Sequence, residues 1–135
     1  GGHHGEMPVG EPGVKKDVNR TIKVVMKETA DGKMLFDPAQ ITVKQGETIR
    51  FAVSNIGKTD HEFVLDDPEG MAKHKELMAK FPEMEHDDPN AVRLEPGKKG
   101  EVIWKFTNAG SFEFGCLIPG HMEAGMAGPI NVKQK

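Results

Sequence analysis

Cysteine is nearly absent from this chain of 135 residues: there is one, Cys116. A single thiol excludes an internal disulfide framework and every site that needs two thiolates, such as a zinc ribbon or an iron–sulfur cluster. Long apolar runs are missing too. None approaches the roughly 20 residues of a membrane-spanning helix, so membrane insertion is not expected. Nor does one sign of charge dominate. The formal net charge is −3, from 18 Lys and Arg against 21 Asp and Glu, and the signs are dispersed, which argues against nucleic acid or anionic lipid as a partner. No signal peptide is visible at Gly1-Gly2-His3-His4, and the absent initiator methionine reads as processing or recloning, with a removed export signal as the expected cause of processing.

What the chain does carry is a β rhythm. Its length suits one domain with a core that needs no disulfides. Residues 1–19, rich in Gly, Pro, His and charge, are expected to form a flexible arm, leaving 20–135 as the folded domain. Alternating or β-branched stretches run from Thr21 to Glu28, Met34 to Phe36, Gln40 to Lys44, Glu47 to Asn55, Glu62 to Leu65, Gly100 to Phe106, Ser111 to Gly115 and Ala127 to Lys133. Asp31-Gly32, Asp37-Pro38 and Gln45-Gly46 separate the early ones as turns. About seven or eight short strands at this spacing predict an all-β sandwich or barrel with Greek-key links. One stretch breaks the rhythm. Between Pro68 and Pro82, Met71, His74, Leu77, Met78 and Phe81 recur at helical spacing, predicting an inserted helix over about 68–82.

The chemistry concentrates near the C-terminus. Cys116-Leu-Ile-Pro-Gly-His121-Met-Glu-Ala-Gly-Met126 reads as Cys-x4-His-x4-Met, a thiolate, an imidazole and a thioether in one turn-rich loop. Two histidines, one cysteine and a weak, long axial methionine form the set that selects copper and tunes it for one-electron transfer. With one cysteine, a dinuclear copper centre bridged by two thiolates is excluded. Met126 is favoured over Met122 as the axial donor, because a residue directly after His121 would tend to point away. The missing histidine belongs on a distant strand. His61 lies between two β segments, whereas His3, His4, His74 and His86 fall in the arm or the insertion, and rigid elements place ligands best. The candidate metal ligands are therefore His61, Cys116, His121 and Met126.

With these residues the chain resembles the cupredoxin family of type 1 copper proteins, which includes plastocyanin, azurin and rusticyanin, over roughly residues 20–135. The four residues between Cys116 and His121 are similar to the azurin and rusticyanin loops, and the Met-rich insertion makes the chain most like bacterial periplasmic cupredoxins linked to copper tolerance. The resemblance implies a Greek-key cupredoxin fold with one inserted helix, one copper ion, a periplasmic location, a monomer and electron transfer through His121. A redox protein, such as a c-type cytochrome or a copper oxidase, is the implied partner. Glu62 departs from the family habit of an Asn directly after the first histidine, which leaves the tie between that strand and the Cys loop to be found. No general base, substrate pocket or second copper cluster is evident, so the chain is not expected to be an enzyme.

Copper sequestration is the competing function. Gly1-Gly2-His3, as a free N-terminus, could wrap Cu(II) through nitrogen donors, with His4 and Met7 beside it. Met71, His74, Met78, Met84 and His86 could form a second, soft copper patch, although packing against the sandwich is the expected role of the Met stripe.

Overall fold

Alternation along the chain becomes two facing sheets in the computed structural model, which describes residues 7–81 and 88–135. In chain order the strands are β1 (Glu11–Pro12), β2 (Arg20–Glu28), β3 (Met34–Asp37), β4 (Ile41–Lys44), β5 (Thr48–Asn55) and β6 (His61–Asp66), then β7 (Ala91–Leu94), β8 (Lys99–Lys105), β9 (Gly110–Gly115) and β10 (Ala127–Lys133). The helix α1 (Pro68–Lys80) lies between β6 and β7. One sheet runs β1-β8-β5-β2-β3 and the other β4-β10-β9-β6-β7. Two neighbouring pairs, β2 with β5 and β4 with β10, are parallel, and the rest are antiparallel. The expected all-β sandwich with one helix is the fold observed.

The inward faces interlock between the sheets. Along β5 every second residue is buried, and Ile49, Phe51 and Val53 point inward. Phe51 meets Phe63 of the opposite sheet with ring centroids 5.2 Å apart, and Phe36 meets Phe114 edge-on at 5.1 Å. Each such ring contributes about 1.5–3 kcal/mol by leaving water, so this aromatic layer is a stiff floor beneath the loops that follow β5 and β9.

Three features differ from the sequence reading. Part of the expected arm is folded. Residues 1–6 lie outside the described residues, but β1 pairs with β8 and Val9 is fully buried, its carbonyl accepting from Trp104 Nε1 at 3.2 Å. Composition conceals this because one buried apolar side chain and a few backbone hydrogen bonds do the anchoring, and neither creates a period. An extra strand, β7, pairs antiparallel with β6 along His61↔Leu94 to Val64↔Ala91; its burial does not alternate along the strand, so it carries no two-residue period.

The helix is also narrower in its contact than its spacing suggests. Asp67 caps it by accepting from Gly70 N at 3.3 Å, and Pro68 opens it. Only Met71 and Met78 are buried, against Val64 and Leu117, whereas Leu77 and Phe81 are exposed. Met71 and Met78 thus take the packing role expected of them. Met84 and His86 of the alternative copper patch lie outside the described residues.

Candidate metal centre

The site begins at the turn from β5 to β6. Asn55, buried at the end of β5, donates through Nδ2 to the carbonyls of Thr59 (2.8 Å) and Leu94 (2.9 Å), and its Oδ1 accepts from Gly57 N at 2.9 Å. One amide thereby sets the course of the turn that delivers His61 to the start of β6. Such a clamp is worth several buried hydrogen bonds, and leaving any of its groups unpaired would cost about 1–3 kcal/mol.

His61 is fully buried and bonded at both ring nitrogens. Its Nε2 lies 2.5 Å from Glu28 Oε2, and its Nδ1 lies 3.2 Å from Nδ1 of His121. Glu28, the last residue of β2, also accepts from Lys58 N at 2.8 Å. Burial disfavours its charge, but the bonds from His61 and the Lys58 amide outweigh that cost and hold its carboxyl below the usual range. A carboxylate at Nε2 requires the proton on that nitrogen and leaves the Nδ1 lone pair facing His121.

Cys116 follows β9 directly and is fully buried. Its Sγ accepts from Glu62 N at 3.3 Å and lies 3.3 Å from His121 Nδ1. The tie left open by the absence of Asn is therefore made by the Glu62 backbone. Burial pushes the Cys116 thiol up to about 12, against the opposing pull of the Glu62 and Ile118 amides. The sulfur is thus a protonated thiol until a cation arrives to displace the proton.

The loop between Cys116 and Met126 folds back on itself. Cys116 N donates to Met126 O (3.1 Å), Met126 N to His121 O (3.1 Å) and His121 N to Ile118 O (3.0 Å). Gly120 (φ +89) and Gly125 (φ +116) take the positive φ angles its turns require. Lys75 of α1 pairs with Glu123, fastening the helix to the loop. His121 is partly exposed, and burial together with the nearby His61 lowers its proton affinity, favouring a neutral ring with a free lone pair. The two methionines separate. Met126 is fully buried in the same core cluster as Cys116, while Met122 packs with Met71, Met78 and Leu117.

The outcome is one cluster. One ligand atom each from His61, Cys116 and His121 lies within 4.8 Å of the others, and among the described residues no second group of this kind occurs. Two imidazole nitrogens and one sulfur, with a buried thioether in the adjoining core, suit copper by softness and by number. A structural zinc would ask for four full-strength donors. The candidates read from the sequence as the Cys–His pair and its distant histidine are brought together; His74 lies on α1 outside this cluster, and His3, His4 and His86 fall outside the described residues. Sequence reasoning missed Glu28 and Asn55. A polar residue closing each of two β stretches was the available signal, and nothing local says which partners it meets.

Comparison with known proteins follows the same line. Residues 23–133 match the family model described as copper binding proteins of the plastocyanin/azurin family. The chain is 50% identical over 131 residues to the copper-resistant cuproprotein CopI of Rubrivivax gelatinosus, covering 97% of this chain and 77% of that protein. It is 37% identical to the protein of the same name from Pseudomonas aeruginosa, over 96% of this chain and 84% of the other. Auracyanin B superposes with a TM-score of 0.72 at 22% identity, covering 92% of this chain and 96% of that one, a likeness of fold.

Proposed function

Because the chain belongs to the plastocyanin/azurin family of copper-binding proteins and takes one copper ion as its cofactor, we propose that it is an exported carrier of single electrons acting in copper resistance. Nδ1 of His61, Sγ of Cys116 and Nδ1 of His121 would hold the ion in this reading, and Met126 would add a weak thioether. The convergence of those three donor atoms within 4.8 Å carries the reading. Copper bound by such a donor set would supply a one-electron couple.

The protein's own part is to keep that geometry still. Phe63, Phe114 and the buried Met126 exclude water beneath the donors. The Glu62 amide orients the sulfur, and the back-bonded loop holds His121 at the surface. The half-exposed His121 edge is the exit for the electron, and a redox protein, a c-type cytochrome or a copper oxidase, docks over it. The chain acts as a monomer and as a carrier, with no reaction of its own. The periplasm is the proposed compartment; among the described residues no helix is long and apolar enough to cross a membrane. The copper-resistant relatives support the tolerance role.

Titration of metal-free protein with Cu(II) tests this. An intense thiolate-to-copper absorption and narrow copper hyperfine splitting at one equivalent are expected, both abolished in Cys116→Ala. Colourless binding indifferent to Cys116 would overturn the proposal in favour of copper sequestration by His and Met side chains.

A further inference from the structure

We propose that Glu28 is a positioning residue for the metal centre, whose carboxylate locks the His61 ring with Nδ1 facing the site and biases the centre toward Cu(II). The inference rests on the copper-site reading above and concerns a residue outside the donor set.

The placement is specific. His61 has no access to water, so both of its nitrogens must find partners inside the protein. Nε2 meets Glu28 Oε2 at 2.5 Å and Nδ1 meets His121. Glu28 is itself held. Its Oε1 accepts from Lys58 N at 2.8 Å, and the carboxylate fills the space where a side chain at Gly57 would begin, since a Cβ there would lie 1.9 Å from Oε2. Glycine at position 57 therefore makes room for the carboxylate, while the Gly57 amide is tied to Asn55. The contact also joins the two sheets, because β2 and β6 belong to different ones.

Two effects follow from a carboxylate at that nitrogen. Accepting the Nε2 proton fixes the tautomer and the ring angle, and it makes the opposite nitrogen a stronger donor. A negative charge one imidazole away from the metal, on a side chain only one-fifth exposed, also stabilises the more positive oxidation state. Both effects favour Cu(II) over Cu(I) and so lower the reduction potential.

The test compares wild type, Glu28→Gln and Glu28→Asp. Glutamine keeps the volume and an acceptor for Lys58 N but removes the charge; aspartate keeps the charge on a shorter arm. In metal-free protein, nitrogen-detected NMR of the His61 ring is expected to show one tautomer, protonated at Nε2, in wild type and a mixed or reversed one in Glu28→Gln. In copper-loaded protein, competition binding is expected to show a loss of about tenfold or more in Cu(II) affinity relative to Cu(I) in Glu28→Gln. That corresponds to a rise in potential of about 59 mV per tenfold, partly reversed in Glu28→Asp, at a similar melting temperature. An unchanged tautomer together with an unchanged potential in Glu28→Gln would overturn the inference. Absence of the thiolate-to-copper band in wild type would strike the copper-site reading itself, and the NMR of metal-free protein would still decide whether Glu28 sets the ring.

Discussion

His61 and His121 turn the same atom, Nδ1, toward each other across 3.2 Å, yet one ring is sealed in the core and the other reaches the surface. Replacing each by glycine should therefore have unequal consequences. Removal of the His121 ring opens a hole to solvent that free imidazole can enter. Copper-loaded His121→Gly is expected to regain its visible absorption within the mixing time of added imidazole. His61→Gly, behind the β5–β6 turn, should recover much more slowly or incompletely. Stopped-flow absorption distinguishes the two, and equal recovery would mean that the burial difference does not control access.

The two positive-φ glycines of the loop make a matched pair. Gly120 (φ +89) has open space where a side chain would begin, whereas a Cβ on Gly125 (φ +116) would sit 3.1 Å from the Met34 carbonyl. Gly120→Ala should cost only the backbone penalty, about 1 kcal/mol. Gly125→Ala adds a clash with backbone and should cost about 2–3 kcal/mol in urea unfolding. Because Met126 comes next in the chain, Gly125→Ala is also expected to shift the copper absorption, and Gly120→Ala much less.

Stability should carry a signature of Asp66, the nearly buried last residue of β6. Burial, and then the adjoining Asp67, push its carboxyl up to about 7. Asp67 is held low, because its bonds with Asp66 and the Gly70 amide outweigh the cost of burial. Between about pH 4 and pH 7 the folded protein therefore retains a proton that the unfolded chain has released. The contribution of Asp66 falls as pH rises through that window and is level above it. Asp66→Asn should remove the slope and gain about 1–3 kcal/mol at pH 8, with little difference from wild type below pH 4. Urea unfolding of both proteins at several pH values measures this.

Truncation should reveal the work done by the N-terminal segment. Deleting residues 1–17 leaves every proposed copper donor in place but removes Val9, the Trp104 hydrogen bond and the β1–β8 pairing. The coloured site is expected to persist. Stability should fall by about 2–4 kcal/mol, from one buried valine and the lost hydrogen bonds, as read by thermal unfolding of the metal-free protein.

How much of this was legible in the chain depends on the distance over which the information acts. Cys116, His121 and Met126 stand within one loop, so their spacing alone names the chemistry. The strands announce themselves through alternation, and α1 through its spacing and its prolines. Glu28 lies 33 positions from the ring it touches, and Val9 lies 95 from Trp104. Contacts at such separations arise where one sheet faces the other, or where a late strand pairs with the N-terminal segment, and leave no periodic trace. The Glu62 amide is a still clearer case: every residue but proline has such a donor, so no side-chain pattern could mark this one as the partner of Cys116.

The position of β10 has a consequence for the order of events in assembly. Among the described strands it comes latest in sequence, and it sits between β4 and β9. Its parallel pairing with β4 joins segments almost ninety residues apart, as in Ile130↔Ile41, which is slow to form because the intervening chain must be ordered first. A chain broken off just after Met126 would own every proposed donor side chain but lack the strand that joins β4 to β9 in the sheet carrying His61. A ribosome would release His61 long before Cys116, and the loop donors just before the strand that anchors them. The centre is thereby completed only once β10 has joined its sheet.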